Sequence, residues 1–273
     1  MPADSSATLK TNGRRCCGMK WKYRTARRRR RRWAAAVILA GMAGALSFCF
    51  RPDSGRREPP IRETIAAPAQ KDSPDQSAPI PVPLLSQEQL GMPTGCELVS
   101  AYMLLEYYGC SMSFEEWIAN CVPMQEFWYE DGQLCNLSPW EAFIELPWQD
   151  SGYGCYAPVI CSAMQQALPN CTVEDVTGQP LAQLCTDYIE EGTPVLVWAT
   201  MDMVESAEGG VWQTPDGPFE WVANEHCLVL VGADSNHYFF NDPSTGRRVK
   251  WEKDLVEERY AELGMQAVVV SAG

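Results

Sequence analysis

The pattern of hydrophobic and polar positions divides the chain of 273 residues into four segments. Residues 1–32 are basic, residues 33–50 carry no charge, and residues 51–81 are rich in proline and polar side chains. From residue 82 to residue 273, short apolar stretches alternate with polar ones, as they do in a folded domain. This last segment is long enough to bury a hydrophobic core, so we expect one globular domain over 82–273.

The first half of this domain has the spacing of apolar residues that is typical of amphipathic helices. Thr94 and Glu97 have the spacing of a capping box, and the apolar run that follows them ends at Gly109, which predicts a helix of about thirteen residues. Further helices are predicted to begin at the capping boxes Ser113–Glu116 and Ser138–Glu141, and to span 158–167, 181–191 and 253–262.

The second half is dominated by short, β-rich apolar runs. Strands are predicted over 195–200, 227–231, 238–241, 249–251 and 267–270. Because helices come first and mostly antiparallel strands follow, the pattern predicts an α+β fold rather than repeated βαβ units.

The predicted domain contains only two histidines, His226 and His237. If the hairpin turn centres on Asp234, His226 lies opposite Asp242 on the same face of the sheet, at the open end of the hairpin. A carboxylate in that position fixes the tautomer of the imidazole and stabilises the imidazolium. His237 then lies at the turn end, in solvent. A slip of one residue pairs His226 with Asn241 instead, and an Asn can also orient a catalytic His.

Cys96 is predicted to lie at the second position of the first helix. Free backbone N–H groups and the helix dipole favour an anion there, so we expect a stabilised thiolate. With His226 as general base and acid, the thiolate is suited to attack a carbonyl carbon. The N–H of Cys96 is one predicted oxyanion donor, and Gln87, or alternatively Gln89, is the second.

Two segments extend this reasoning to a known family. Residues 82–109 (VPLLSQEQLGMPTGCELVSAYMLLEYYG) and 225–246 (EHCLVLVGADSNHYFFNDPSTG) resemble the two signatures of the peptidase C39-like family, within the papain-like cysteine peptidases. The resemblance implies a papain-like α+β fold, with a helical first half packed on an antiparallel β-sheet. It implies a catalytic triad and an oxyanion residue, which are Cys96, His226, Asp242 and Gln87. Residues 120–190 match no motif of the family.

The first 81 residues indicate attachment to a membrane. Residues 33–50 are eighteen residues without a charge, and as a helix they are expected to rise about 27 Å, which is roughly the hydrocarbon thickness of a bilayer. Because twelve Lys or Arg precede it, we expect a single-pass signal-anchor with residues 1–32 in the cytoplasm and the catalytic domain outside the cell membrane. A cleaved signal peptide, or a lipoprotein signal ending at Cys49, are the alternatives. Residues 51–81 are predicted to form a disordered spacer.

The charge and the cysteine content limit which partners and cofactors are expected. Residues 84–273 hold twenty-nine acidic and five basic residues, which argues against binding to nucleic acid and is compatible with basic substrates. Besides Cys96, eight cysteines lie in the domain, and an even number outside the cytoplasm suggests disulfides without fixing their pairing. No metal or organic cofactor is expected, since no C-x-x-C pair occurs in the domain and histidines are few.

The sequence therefore predicts a cysteine peptidase that acts on peptide or protein substrates. Three alternatives use the same residues or the same fold: a cell-wall peptide amidase, a transglutaminase-like acyl transferase, and a non-catalytic binding module.

Overall fold

The computed structural model describes residues 78–272. The predicted basic tail, the predicted membrane helix at 33–50 and nearly all of the predicted linker lie outside this range, so these three assignments stay predictions. Within the described range, no helix has the length and apolar character needed to cross a bilayer.

Five α-helices and twelve strands make up the described part of the chain. The helices are α1 (Cys96–Tyr107), α2 (Phe114–Cys121), α3 (Ala157–Ala167), α4 (Leu181–Leu184) and α5 (Lys253–Glu262). The first six strands are β1 (Met124–Gln125), β2 (Trp128–Glu130), β3 (Gln133–Cys135), β4 (Phe143–Ile144), β5 (Cys171–Asp175) and β6 (Val195–Thr200). The others are β7 (Glu208–Thr214), β8 (Gly217–Val222), β9 (Glu225–Ala233), β10 (His237–Asp242), β11 (Arg247–Glu252) and β12 (Ala267–Ala272).

A six-stranded sheet, in the order β11-β10-β9-β6-β12-β5, organises the core, and every neighbouring pair in it is antiparallel. Its central strands β6 and β9 are buried along almost their whole length, as expected for strands covered on both faces. The helices α1 and α3 precede most of these strands in the chain, and α1 packs on β9. The predicted α+β class, with a helical first half on an antiparallel sheet, is confirmed.

Local signals placed several helices correctly. Ser113 accepts a hydrogen bond from the N–H of Glu116, and Glu116 returns one to the N–H of Ser113, so the predicted capping box does begin α2. The helix predicted over 181–191 begins as α4 but continues as a π-helical turn from Cys185 to Ile189. A short 3-10 turn, Met201–Met203, follows β6.

The prediction of a helix at Ser138 was wrong, and one sheet was missed. The predicted helix at Ser138 is a turn: Glu141 accepts a hydrogen bond from the N–H of Ser138, but the chain then enters β4. A four-stranded sheet, β2-β3-β7-β8, was not predicted at all. Its strand β7 begins with Glu208-Gly209-Gly210, whose polar and glycine residues give no alternating apolar pattern.

The β9–β10 hairpin has a different register from the predicted one. Tyr238 pairs with Ala233, and after a bulge Phe240 pairs with Leu230, whereas the prediction placed residue 238 opposite residue 230. The turn is shorter than predicted and lies further along the chain, at residues 234–237, where the Asp234 carboxylate accepts the N–H groups of Asn236 and His237. The shift from the predicted pairing at Phe240 is two residues, which leaves each side chain on its predicted face.

Strand β9 extends past the end of β10. The last recorded pair of these two strands is Asn241 with Val229, so the first residues of β9 lack a strand partner on that side. The start of α1 covers this unpaired edge, where Ser100 Oγ donates to the carbonyl oxygen of Cys227 at 2.9 Å. Because α1 crosses β9 at this point, the N-terminus of α1 lies beside the residues around His226.

The disulfides suggested by the cysteine count are absent from the described part of the chain. All nine cysteines within residues 78–272 are free. Several of them, including Cys155 and Cys227, are buried in the hydrophobic core, where a free cysteine behaves as a small apolar residue.

Candidate active site

Cys96 is the first residue of α1, not the second as predicted. The N-cap is Gly95 and no side chain caps the helix, so the predicted Thr94–Glu97 capping box is wrong. Both side chains have more distant partners: Thr94 Oγ1 donates to the carbonyl of Gln149 at 3.2 Å, and Glu97 accepts the N–H of Cys155 at 2.7 Å. The N–H groups of the first turn remain free of intrahelical partners, as at any helix N-terminus.

His226 and Asp242 form a buried pair. Nε2 of His226 and Oδ1 of Asp242 are 2.8 Å apart, and 3% and 10% of the two side chains are exposed. The pairing of the two strands ends at Asn241 and Val229, and continuing this register by one residue puts Asp242 beside Leu228, so Asp242 meets His226 as a diagonal neighbour on the same face. The predicted contact therefore exists, although the predicted direct opposition does not.

The Asp242 carboxylate is held as an anion. It accepts hydrogen bonds from the N–H of Ser244 at 2.9 Å and from Thr245 Oγ1 at 2.9 Å, in addition to His226. Burial alone would raise its pKa, but the hydrogen bond and charge of His226, together with Thr245 and Ser244, lower the pKa below its usual value. An ionised carboxylate at this place is suited to stabilise an imidazolium.

The second ring nitrogen of His226, Nδ1, is buried and has no hydrogen-bond partner within the described part of the chain. Cys96 Sγ makes no hydrogen bond to this nitrogen; its sulfur instead faces the N–H of Cys227 and lies within 4.8 Å of a carboxylate oxygen of Glu225. These two residues directly follow and precede His226 in β9. The thiol and the imidazole are therefore brought to the same end of one strand.

Gln87 connects the two halves of this site. Its N–H donates to the carbonyl of Pro243, next to Asp242, at 2.9 Å, and its side-chain Nε2 donates to the carbonyl of Pro93 at 2.9 Å. Gln87 is buried, whereas the alternative residue Gln89 is exposed. The side-chain amide has a second N–H, which no protein acceptor takes in residues 78–272.

The other histidine lies at the opposite end of the hairpin. His237 Nδ1 contacts Asp234 Oδ1 at 3.1 Å, and 26% of its side chain is exposed, so it is half-buried rather than fully in solvent. It pairs across the sheet with Glu252. No cysteine appears among its hydrogen-bond partners in the described residues.

Two acidic residues of the site were missed by the sequence reasoning. Glu97 and Glu225 are buried, and their carboxylate oxygens lie within 4.8 Å of each other and of Cys96 Sγ. Their positions in Gly-Cys-Glu and Glu-His, each adjacent to a candidate catalytic residue, were the only available signals. The sulfur of Cys96 and both oxygens of Glu97 are already engaged in hydrogen bonds, with each other and with the N–H of Cys155.

The charge around the sulfur differs from the predicted one. Burial raises the pKa of the Cys96 thiol well above its usual value, and the neighbouring Glu97, Glu225 and Cys227 raise it further, against a smaller lowering by the Cys227 N–H. Cys96 Sγ donates a hydrogen bond to Glu97 Oε2 at 3.3 Å. The predicted stabilised thiolate is therefore not the resting form of this site.

The aromatic residues between the two halves of the site divide into two groups. Phe127 and Tyr153 pack with Trp212 and Trp221, with ring centroids 5.2–5.8 Å apart in the contacts they make. In contrast, the large aromatic side chains exposed at the surface are Trp128, Tyr129, Trp140 and Trp148. The first group therefore belongs to the packed interior, whereas the second group lies at the surface.

Known proteins resemble this chain in sequence and in structure. The uncharacterized protein YvpB of Bacillus subtilis strain 168 is 27% identical over 245 residues, which cover 85% of this chain and 96% of YvpB. A Bacillus anthracis crystal structure assigned as a C39-like peptidase is 27% identical, with a TM-score of 0.61 over 71% of this chain and 96% of that one. The model of the Peptidase_C39 like family matches residues 79–268. This chain therefore belongs to the Peptidase_C39 like family.

Proposed function

We propose that this protein is a cysteine peptidase that hydrolyses peptide amide bonds, with Cys96 as nucleophile, His226 as base and Asp242 as the residue that orients the base. The main support is the arrangement of His226, whose Nε2 is held by Asp242 while Nδ1 has no partner. An imidazole fixed at one nitrogen and unpartnered at the other is ready to accept a proton. The family membership supports the same reaction class.

The reaction begins with a neutral thiol. Nδ1 of His226 accepts the proton of Cys96 Sγ as the sulfur attacks the substrate carbonyl carbon, and the negative charge of Asp242 stabilises the imidazolium that forms. When the tetrahedral intermediate collapses, the C–N bond breaks and the imidazolium gives its proton to the leaving amine. Water then attacks the thioester, with His226 again as the base, and the acid product leaves Cys96 as a thiol.

The oxyanion is bound by two donors at the helix start. The N–H of Cys96 belongs to the free first turn of α1, where the helix dipole favours negative charge. Gln87 supplies the second donor through the N–H of its side-chain amide that Pro93 does not take. Its main-chain bond to Pro243 keeps this amide beside the His226–Asp242 pair.

Replacement of the nucleophile tests the proposal. We expect Cys96→Ala to lose all measurable cleavage of a broad peptide library, because no other group in the mechanism forms the acyl-enzyme. Cys110→Ala is the matched control, since Cys110 is half-buried and donates only a weak hydrogen bond to Ala167, and it should keep wild-type cleavage. Cleavage by Cys96→Ala at the wild-type rate contradicts the proposal.

The same samples separate the alternative reactions. Purified peptidoglycan stem peptides as preferred substrates favour a cell-wall amidase, and incorporation of an added amine in place of water favours an acyl transferase. Wild-type protein that cleaves nothing, with a Cys96 that never reacts, favours a binding module.

We also propose that residues 33–50 anchor the protein in the cell membrane with the domain outside the cytoplasm. The basis is the uncharged run next to a cluster of arginines. The full chain should sediment with membranes and resist extraction by high salt, and a chain that begins at residue 51 should remain in the supernatant. Recovery of the full chain in the supernatant contradicts the proposal.

A further inference from the structure

The carboxylate of Glu97 is fixed at both of its oxygens. Oε2 accepts the hydrogen bond of Cys96 Sγ at 3.3 Å, and Oε1 accepts the N–H of Cys155 at 2.7 Å. The side chain is fully buried, and it packs against Gly154 so closely that a Cβ at that position would overlap with Oε1. Glu97 therefore has little freedom to turn away from the sulfur.

A second carboxyl group faces the same sulfur from β9. Glu225 is 7% exposed, and its Oε1 has no hydrogen-bond partner within residues 78–272. Because a buried, unpaired carboxylate is costly, the neutral form of Glu225 is favoured. In the described part of the chain, no Lys or Arg forms an ion pair with Glu97 or Glu225.

The thiol thus has an acceptor in Glu97 and makes no hydrogen bond to His226 within residues 78–272. In the resting structure it points to Glu97, while Nδ1 of His226 remains without a partner. A hydrogen bond donated by the thiol stabilises the neutral form of the thiol, and a negative charge next to the sulfur disfavours the thiolate.

We propose that Glu97 is a positioning residue that stores the nucleophile: its carboxylate accepts the hydrogen bond of Cys96 and holds this residue as a neutral thiol in the free enzyme. This inference rests on the proposed role of Cys96 as nucleophile. It gives the Gly-Cys-Glu sequence a chemical purpose, because the residue after the nucleophile controls when the sulfur ionises.

The ionisable groups around the sulfur agree with this assignment. Glu97 faces it from α1, and Glu225 and Cys227 face it from β9. Asp242, on β10, reaches the site only through its hydrogen bond to His226. Burial raises the pKa of Glu97 to about 7, against a lowering by the N–H groups and thiol that it binds, so near neutral pH its carboxylate ionises beside the thiol.

The consequence is a sulfur with low reactivity towards small electrophiles in the free enzyme. Alkylation requires the thiolate, so its rate follows the thiolate fraction at each pH. Cysteine peptidases that keep a preformed thiolate–imidazolium pair react with alkylating reagents even in mild acid, because the pKa of that thiol is low. Here the rate should rise with pH throughout the neutral range.

Glu97→Gln tests the proposal by the rate at which iodoacetamide alkylates Cys96. The Gln side chain retains an oxygen for the N–H of Cys155 but has no negative charge, so we expect alkylation at pH 7 to be about tenfold faster than in wild type. Because the neutral form of Glu225 is favoured, Glu225→Gln removes no charge and should alkylate within about twofold of wild type. Mass spectrometry of the peptide that contains Cys96 is needed, because the full chain has twelve cysteines.

Glu220→Gln provides the matched control. Glu220 is exposed on β8, and its substitution makes the same change in net charge, so it should alkylate within twofold of wild type. An unchanged rate in Glu97→Gln overturns the proposal, and a slower rate does so as well, since it identifies Glu97 as a base for the thiol. If Glu97→Gln does not fold, the pH dependence of the alkylation rate of wild type is the test. A rate that reaches a plateau below pH 7 overturns the proposal that Cys96 is held as a neutral thiol. A rate that still rises above about pH 8.5 supports it.

The outcome does not depend on turnover. Alkylation of Cys96 is measured without substrate. The proposal that Glu97 holds the thiol neutral can therefore be overturned while Cys96→Ala still abolishes cleavage. Conversely, storage can hold in a protein whose peptidase activity is never found.

Discussion

The two ends of the β9–β10 hairpin carry the same two residue types in different surroundings. At the open end, His226 and Asp242 are buried, 2.8 Å apart, next to the start of α1. At the turn end, His237 and Asp234 are 3.1 Å apart, and a quarter of the His237 side chain is exposed. A His–Asp contact alone therefore does not distinguish the candidate site from the turn end. The difference lies in what covers the pair, because only the open end meets a helix N-terminus that brings a cysteine.

The orientation of each ring also differs between the two ends. His226 uses Nε2 for Asp242, which leaves Nδ1 unpartnered inside the protein. His237 uses Nδ1 for Asp234, and the same carboxylate accepts two main-chain N–H groups of the turn. The carboxylate at the turn end therefore shapes the turn, whereas the one at the open end is positioned to fix the ring of the base.

The largest expected effect is the difference between the two histidines. We expect His226→Ala to lower turnover of the best library peptide by at least about 10³-fold, since it removes the proposed general base and acid. His237→Ala should stay within about twofold of wild type. Equal losses in the two variants contradict the assignment of roles to the two ends.

The two aspartates should differ by a smaller factor. Asp242→Asn retains an oxygen that can orient His226 but removes the charge that stabilises the imidazolium, so we expect kcat to fall by about 10²-fold. Asp234→Asn retains the acceptor for the turn N–H groups and should leave kcat unchanged. Both kcat values are measured on the same peptide. A normal kcat in Asp242→Asn means that orientation alone is sufficient.

The smallest expected effect concerns stability in acid. Burial opposes the shift, but hydrogen bonds and the His226 charge lower the pKa of Asp242 below its usual value. A carboxylate with a lowered folded pKa stabilises the fold above the unfolded value of about 3.9, and this contribution is lost as the pH falls through the folded value. Urea unfolding should therefore show wild type more stable than Asp242→Asn at pH 7, with the difference shrinking as the pH falls below the unfolded value.

The turn end again supplies the comparison for stability. Hydrogen bonds from the turn and from His237 lower the pKa of Asp234 as well, against the opposing effect of burial. Because solvent screens this pair more, Asp234→Asn should lose less stability at pH 7 than Asp242→Asn. A larger loss at the turn end shows that the turn, and not the buried pair, dominates the acid sensitivity of the hairpin.

Features that depend on neighbouring residues could be predicted from the sequence. The capping box of α2 consists of Ser113 and Glu116, three residues apart, and needs no distant partner. His226 and Asp242 were brought together correctly because strand alternation fixes the face of a side chain even when the register is wrong by two residues.

Features that depend on distant residues could not be predicted. Thr94 and Glu97 have the spacing of a capping box, but Gln149 and Cys155, more than fifty residues away, provide their partners in the fold. The approach of Glu225 to Cys96 follows from the crossing of α1 over β9, for which the sequence has no local signal. The resting charge state of the thiol was mispredicted for this reason.

The early end of β10 also has a consequence for how the protein tolerates change. An unpaired length of strand normally attracts another strand, either from its own chain or from another molecule. Here the first turns of α1 occupy the space beside residues 225–228 where such a strand would pair, and they exclude it. An insertion that lengthened β10 alongside residues 225–228 would compete with α1 for the same space. The length of β10 therefore limits how this domain can vary.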